Sequence, residues 1–561
     1  MTAATGHTAE LAADVLVVGG GPAATWAALK AAENGAAVVL ADKGYCGTSG
    51  ATAAGGTGVW YVPPEPAARE AAMASREGLG GHLADRRWMS RVLDETYDRI
   101  NELAGRGRYP FPAGPDGRPL RNGLQGPEYM RRMRIRIRRA GVRILDHSPV
   151  TELLTDREGA VAGAAGYRRQ ARASFRVRAG AVVLATGGCA FLSGALGTNT
   201  NTGDGALFAA EAGAELSGME FSNAYGIAPE GTSVTKTAFY SFATFYREDG
   251  EVLEGAASQG GRSVIARELL AGGRVLARLD RAGADAREAM RRAQPNFFLT
   301  FDRLGIDPFT ERFPVTLLAE GTVRGTGGIR IVSDDCATGV PGLYAAGDAA
   351  TREEICGGFT GGGSHNAAWA ISSGSWAGRA AAGYARSLPS GRAAHRPLTG
   401  TGGAGLRPGG TPGRPDGYRE ALELVRAEVL PYDKNYLRHG DVLARSLEVL
   451  DRSWAGLRTS LYAEGADLVR ARQTAAMTAH ARWMYAAALA RPESRGMARR
   501  LDHPGQDPAL HHRITVGGLD RVWTRPGRRR TAVPAGDPAA VPAVVPGVVR
   551  AVLPRQRGAG G

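Results

Sequence analysis

The sequence predicts an α/β chain: a Rossmann-type dinucleotide-binding domain, interrupted by an inserted α+β segment and followed by a helical domain. Three observations carry this reading. Residues 14–42 form a strand, a glycine-rich turn, a helix and a second strand. Residues 226–325 lose the glycine-rich character and open with an aromatic run from Phe239 to Tyr246. Residues 418–489 keep a sustained helical spacing, as in Leu443, Leu447, Leu450 and Trp454.

The elements follow in order. Val15-Leu16-Val17-Val18 is a continuous apolar run, as in a parallel strand buried on both faces. Gly19 to Ala24 is the turn, Thr25 to Asn34 an alanine-rich helix ended by Gly35, and Ala37 to Ala41 the second strand with Asp42 at its tip. Ser90 to Glu102 and Glu128 to Arg139 read as helices. Residues 143–185 alternate like strands and end in the apolar run Ala181 to Ala185. The glycine-rich character returns at 326–378. The predicted division is therefore 1–225 and 326–386 for the two parts of the dinucleotide domain and 226–325 for the insertion. A Gly/Pro-rich linker at 387–417 leads to a helical domain at 418–505 and a partly disordered extension at 506–561. No repeat of solenoid period is present.

Composition excludes several classes. The 561 residues are 43% apolar and 22% charged, as expected of a folded chain. The 69 basic against 55 acidic residues give a net charge of +14, which first suggests nucleic acid. Lysine, however, occurs only at Lys30, Lys43, Lys236 and Lys434, and the rest is arginine, the background of a GC-rich bacterial genome. The densest run, Arg131 to Arg139, reads as one face of a solvated amphipathic helix. Cys46, Cys189, Cys336 and Cys356 form no C-x-x-C pair, so an iron–sulfur cluster, a structural zinc or any other metal site is not expected. Scattered thiols, no secretory signal and no membrane-length apolar run point to a cytoplasmic protein without a membrane span.

The turn carries the first chemistry. Gly19 permits the tight turn, and Gly21 lets backbone N–H groups approach a pyrophosphate. Pro22 and Ala23 begin a helix whose N-terminus offers partial positive charge to phosphates, and Ala24 allows close helix–sheet packing in place of a third glycine. Asp42 suits ribose hydroxyls, which argues against a 2′-phosphate and so against NADP. Spacing alone does not separate NAD from FAD.

Two later segments do. Val182-Val183-Leu184-Ala185-Thr186-Gly187-Gly188 and Gly342-Leu343-Tyr344-Ala345-Ala346-Gly347-Asp348-Ala349 resemble the A-T-G-G and G-L-Y-A-x-G-[DE] segments of two-dinucleotide-type flavoproteins. That likeness implies FAD, with Asp348 on its ribityl chain. Thr48 to Gly56, Asn201 to Gly205, Met219-Glu220-Phe221, Thr326 to Ile329, and Glu493 to Gly496 before Asp502-His503-Pro504 extend it. Over most of residues 14–510 the sequence resembles the fumarate reductase/succinate dehydrogenase flavoprotein family, which includes L-aspartate oxidase and the adenylylsulfate reductase α subunit. The resemblance implies an FAD domain, an inserted capping domain and a helical C-terminal domain. Besides the turn residues, Asp42 and Asp348, it implies FAD contacts at Lys43, Ser49, Gly50, Gly55, Gly56, Ala185, Thr186, Gly187, Asp204 and Ser364.

Departures from the family pattern refine the expected activity. Ser49 stands where covalent members attach FAD through histidine, so non-covalent FAD is expected. Tyr225, Val323 and Thr360 fall at or near positions where dicarboxylate members carry two histidines and an arginine. Each lost charge-assisted bond is worth roughly 1.5–3 kcal/mol, so succinate dehydrogenase or fumarate reductase activity is not expected. Gly261 to Arg267 resembles the R-D-x-x-[SA]-R segment with Ser263 for aspartate, and implies that Arg262 faces the substrate opposite flavin N5. Gly358 to His365 resembles the F-S-S-G-S-H segment of adenylylsulfate reductase and places His365 at a helix start near the flavin. Arg262, His365 and Tyr225 are the candidate catalytic residues. The expectation is an FAD-dependent oxidoreductase moving a hydride between flavin N5 and a small anionic substrate, with a ferredoxin-like partner or oxygen exchanging electrons. The alternatives are an adenylylsulfate-reductase-like α subunit with an iron–sulfur partner, and a basic nucleic-acid-binding flavoprotein.

Overall fold

Strand Ala9–Val18 is the axis of the first sheet. It pairs in parallel with Val38–Ala41 on one side and with Ala173–Leu184 on the other. Arg143–Leu145 extends the parallel order beyond Val38–Ala41. Val15, Leu16 and Val17 are fully buried, because helices cover both faces of a parallel sheet. The computed structural model describes residues 8–113, 117–235, 238–360, 364–389, 396–401, 417–463 and 465–527.

Helix Pro22–Glu33 begins three residues before the sequence expectation, because proline suits a first helical turn. It ends at Asn34, with Gly35 in the left-handed region at φ 80°. Against it lies helix Ser364–Ser387. A Cβ at Gly374 or Gly378 would meet the carbonyls of Ala23 and Ala27 at 2.4 and 2.2 Å, so glycine sets how closely the two helices approach. Leu343–Ala345 returns from far along the chain to pair in parallel with Ala173–Leu184. Val150–Thr155 and Val161–Arg168 extend the sheet as an antiparallel pair, and Thr399–Gly400 adds an antiparallel edge to Val150–Thr155.

The inserted segment builds a second sheet in the order Ala224–Pro229, Phe313–Glu320, Val275–Arg278, Thr244–Tyr246, all antiparallel. Its aromatic run is divided: Phe239–Phe242 is a short 3-10 turn and only Thr244–Tyr246 is strand. Tyr240, Phe245, Phe297, Phe301 and Phe313 form a separate core under helices Arg262–Leu270, Ala284–Ala293 and Pro295–Leu304.

The C-terminal helices Gly417–Val429, Gly440–Ser460 and Gly465–Leu489 bury the predicted stripe of Leu443, Leu450 and Trp454, with Leu447 at its margin. The segment after 506 departs from expectation. Ile514–Gly517 and Trp523–Pro526 form a hairpin that joins Leu216–Ser217 and Gly328–Ile329 in a third sheet. These strands are too short for alternation to announce them. Most of the 387–417 linker and all of 533–561 lie outside the described residues. In helix Gly126–Arg139, Arg131 and Arg132 pair with Glu128, Arg134 with Asp146 and Arg136 with Glu102, so much of the basic run is committed within the fold.

A buried ionic knot joins the sheets to the helical domain. Glu220 and Arg491 are fully buried and meet at 2.9 Å; Arg491 also holds Glu493 at 2.7 Å, as does Arg495. Arg438 donates to the Glu220 carbonyl at 2.6 Å. Removing one member leaves a buried charge uncompensated, so Arg491→Met should lower stability by about 3–5 kcal/mol in denaturant titration. A loss below about 1 kcal/mol would show that the knot does not hold the domains. Close by, Glu353 accepts from Ser217 Oγ, and burial first, then the Glu220 charge, pushes its carboxyl from 4.5 to about 7. A raised carboxyl pKa gives stability that is complete below 4.5 and lost as pH rises through about 7. Glu353→Gln should therefore flatten the fall of Tm between about pH 4.5 and pH 7; an unchanged slope would refute the assignment.

Candidate functional site

The C-terminal ends of the parallel strands open on a cavity. The Gly19–Ala23 turn forms its floor. Asp42, Lys43 and Ser49–Thr52 make one wall, and Ala185–Gly187 with Asn201 and Asp204 the other. Gly56, Thr57, Val323, Arg324, Gly347, Asp348 and Asn366 continue the lining.

Each glycine of the turn has its own reason. Gly19 has φ 124°, and a Cβ there would lie 2.2 Å from the Ala185 carbonyl oxygen on the neighbouring strand. A Cβ at Gly20 would lie 2.2 Å from Asp42 Oδ2. Gly21 has an ordinary φ of −82°, and nothing lies within 4 Å of its Cβ position. The space beside Gly21 is therefore open to a ligand and not filled by protein. Helix Pro22–Glu33 has no side-chain N-cap, so its first-turn N–H groups are available to an anion.

The wall carboxylates and the lysine are pre-positioned. Ser49 Oγ donates to Asp42 Oδ2 at 2.5 Å, and burial pushes the Asp42 carboxyl above its usual range. Lys43 donates to Thr202 Oγ1 at 2.7 Å and pairs with Asp204. Asp348 pairs with the fully buried Arg352, whose guanidinium also donates to the Thr322 and Gly325 carbonyls. Asn201 Oδ1 and Asn366 Oδ1 are buried without a hydrogen-bond partner. A glycine cradle with open space, uncapped helix N–H groups and two orphaned acceptors fits a dinucleotide cofactor.

Of the predicted cofactor residues, Ala24, Gly55 and Ser364 are not on the cavity wall. Ala24 is buried, Gly55 offers its carbonyl to Gly126 N–H at 3.0 Å, and Ser364 offers its carbonyl to Trp60 N–H at 3.2 Å. The other predicted contacts line the cavity.

The candidate catalytic residues are placed differently from one another, and none lines the cavity. Tyr225 departs from expectation: its hydroxyl donates to the Val429 and Leu430 carbonyls at 2.9 and 3.0 Å. Burial pushes that hydroxyl pKa well up, so it is a structural donor to the C-terminal helices. Arg262 donates from Nη1 to the Tyr225 carbonyl and from Nε to the Ser258 carbonyl, each at 2.7 Å. His365 is buried, with its ring 4.4 Å from that of Trp60 and Nδ1 3.2 Å from Ser364 Oγ. Sequence reasoning missed Arg324 and Asn366. Both lie next to residues it singled out, Val323 and His365, but neither has a local spacing signal of its own.

Residues 14–231 match the FAD binding domain family, and residues 437–523 match the fumarate reductase flavoprotein C-terminal family. L-aspartate oxidase of Streptomyces coelicolor is 27% identical over 567 residues, covering 91% of this chain and 92% of that protein. The chain superposes on the E. coli quinol fumarate reductase structure with TM-score 0.80 at 20% identity, covering 95% of this chain and 100% of the other. For adenosine-5-phosphosulfate reductase in complex with sulfite the TM-score is 0.71 at 17% identity, with 95% and 98% covered. At these identities the two structures share the fold.

The turn geometry separates ligand binding from stability. Gly21→Ala should leave the apoprotein Tm within about a degree and weaken FAD binding about tenfold or more, because its methyl enters empty space. Gly19→Ala should cost about 2 kcal/mol or more of stability, since an L-residue is strained at that φ. Fluorescence titration with FAD and thermal melts check both. Equal effects on Tm would refute the distinction.

Proposed function

The chain belongs to the fumarate reductase/succinate dehydrogenase flavoprotein family and is an FAD-dependent oxidoreductase, and from that premise we propose that it oxidises or reduces a small organic anion bound between the inserted sheet and the glycine cradle. In this reading residues 226–325 act as a capping domain over the cofactor. FAD, when bound, supplies the two-electron redox chemistry. The chain's own residues bind, orient and exclude water.

One observation carries the proposal: the positions that would hold a second carboxylate offer no cation. Val323 is buried and apolar, and the Tyr225 hydroxyl is spent on two carbonyls. Thr360 is the third such position, and a hydroxyl there cannot supply the bidentate fork of an arginine. Arg262 donates Nε and Nη1 to two carbonyls, which fixes its plane and leaves Nη2 for a substrate oxyanion. In this reading His365, packed on Trp60 beside the start of helix Ser364–Ser387, moves a proton. Ser49 is already hydrogen-bonded to Asp42 and has no nucleophilic chemistry suited to a covalent tether, which supports non-covalent FAD.

Electrons then pass to an external acceptor or come from an external donor, and a ferredoxin-like partner suits this role. Cys46, Cys189, Cys336 and Cys356 are separately buried thiols. Burial pushes Cys46 up to about 12 and Cys356 up to about 11. Among the described residues no helix is long and apolar enough to cross a membrane.

The test is anaerobic reduction of the FAD-loaded protein by a panel of hydroxy, amino and unsaturated acids, with succinate and fumarate included. A mono-anionic substrate should turn over, and succinate and fumarate should be slower by about a hundredfold or more. Arg262→Ala should abolish turnover with FAD still bound, and acid precipitation should leave the yellow colour in the supernatant. Turnover of succinate at the rate of the best substrate, or colour retained in the pellet, would reject the corresponding part.

A further inference from the structure

Five ionisable side chains line the cavity among the described residues: Asp42, Lys43, Asp204, Arg324 and Asp348. Four are committed. Lys43 and Asp204 neutralise one another, Asp42 accepts from Ser49, and Asp348 pairs with Arg352. Arg324 is different. Its Nε lies 3.8 Å from Glu320 Oε1, beyond hydrogen-bond reach, and that oxygen already accepts from Thr235 Oγ1 at 2.7 Å. No hydrogen bond from the Arg324 guanidinium is made within the described residues. The side chain is 19% exposed, a charge largely withdrawn from water with its donors unused.

Its backbone, by contrast, is firmly fixed. Asn366 Nδ2 donates to the Val323 carbonyl at 2.9 Å, and Arg352 holds the Thr322 and Gly325 carbonyls together with Asp348. Arg324 therefore sits on the Asp348 side of the cavity. It closes the short helix Gly321–Arg324, which follows the inserted-sheet strand Phe313–Glu320 without a linker. Tyr225, whose carbonyl holds Arg262, pairs with Ala319 on that strand, and Ala224 bridges Gly321. Arg262 and Arg324 thus share one end of the inserted sheet, the first holding two carbonyls through Nε and Nη1 and the second in a long ion pair with Glu320 that uses none of its hydrogen-bond donors.

We propose that Arg324 is the specificity-determining anchor of this site, gripping a substrate carboxylate through its planar fork. The inference rests on the reading that the substrate lies under the inserted sheet against FAD. A guanidinium on the cavity wall whose hydrogen-bond donors are unused selects small carboxylic acids over neutral alcohols and amines, and its geometry favours a bidentate carboxylate.

Difference spectroscopy of bound FAD tests this independently of turnover. The FAD-loaded protein is titrated with acetate, glycolate, pyruvate and malonate while the flavin absorption is followed. Saturable perturbation is expected, weakened about tenfold or more in Arg324→Gln and partly restored in Arg324→Lys, which keeps the charge without the fork. FAD affinity, read by fluorescence, should stay within about twofold in both variants. Carboxylate affinities unchanged in Arg324→Gln overturn the anchor, as does a wild-type holoprotein whose spectrum no carboxylate perturbs. Loss of FAD binding in Arg324→Gln with carboxylate affinity intact overturns it too, by assigning the residue to the cofactor. A wild-type protein that binds no FAD overturns the underlying reading and the anchor with it.

Discussion

Backbone contact at the top of the first sheet is the constraint on which the site depends. Gly19 lies against the Ala185 carbonyl, a Cβ at Gly347 would stand 2.7 Å from Ala23 Cβ, and Gly374 and Gly378 lie against the Ala23 and Ala27 carbonyls. These approaches bring together four stretches of chain spread between residues 19 and 378. Any side chain at the seam would push them apart by more than an ångström. The cradle is what remains where the seam opens, at Gly21. Many of the described glycines are thus spent on distances between segments, besides those that serve turns.

The cradle was legible in the sequence because its parts are local. A strand, a turn and a helix start lie within a few residues, so spacing alone assigned Gly19, Gly21 and Asp42 their places. The residues that misled are those whose partners are remote. Tyr225 read as a site donor because its hydroxyl acceptors, the Val429 and Leu430 carbonyls, lie about two hundred residues away. Arg324 was passed over because no pattern shows that its one carboxylate neighbour, Glu320, lies beyond hydrogen-bond reach. The hairpin at Ile514–Gly517 and Trp523–Pro526 escaped because four-residue strands bounded by glycine carry too little alternation to register.

The positive charge has a physical use that composition does not reveal. Arg352, Arg438, Arg482 and Arg491 are among the largest fully buried side chains. Each serves carbonyls of irregular backbone: Arg491 holds Leu510 and His512, Arg482 holds Leu519 and Asp520, and Arg438 holds Asn435 and Glu220. A guanidinium offers five donors in a fixed plane, more than any other side chain. Long loops can therefore be buried here without leaving acceptors unpaired. Part of the arginine content is thus used for internal hydrogen bonding out of contact with solvent.

The buried thiols bear on durability. A flavoprotein that loses electrons to oxygen generates peroxide within a few ångströms of its own side chains, and the species peroxide attacks is the thiolate. Cys46, Cys189, Cys336 and Cys356 are all buried, and desolvation pushes every one of their pKa values upward, so almost none of that species forms at neutral pH. The enclosure that keeps these four thiols protonated thus also removes the form in which peroxide would attack them.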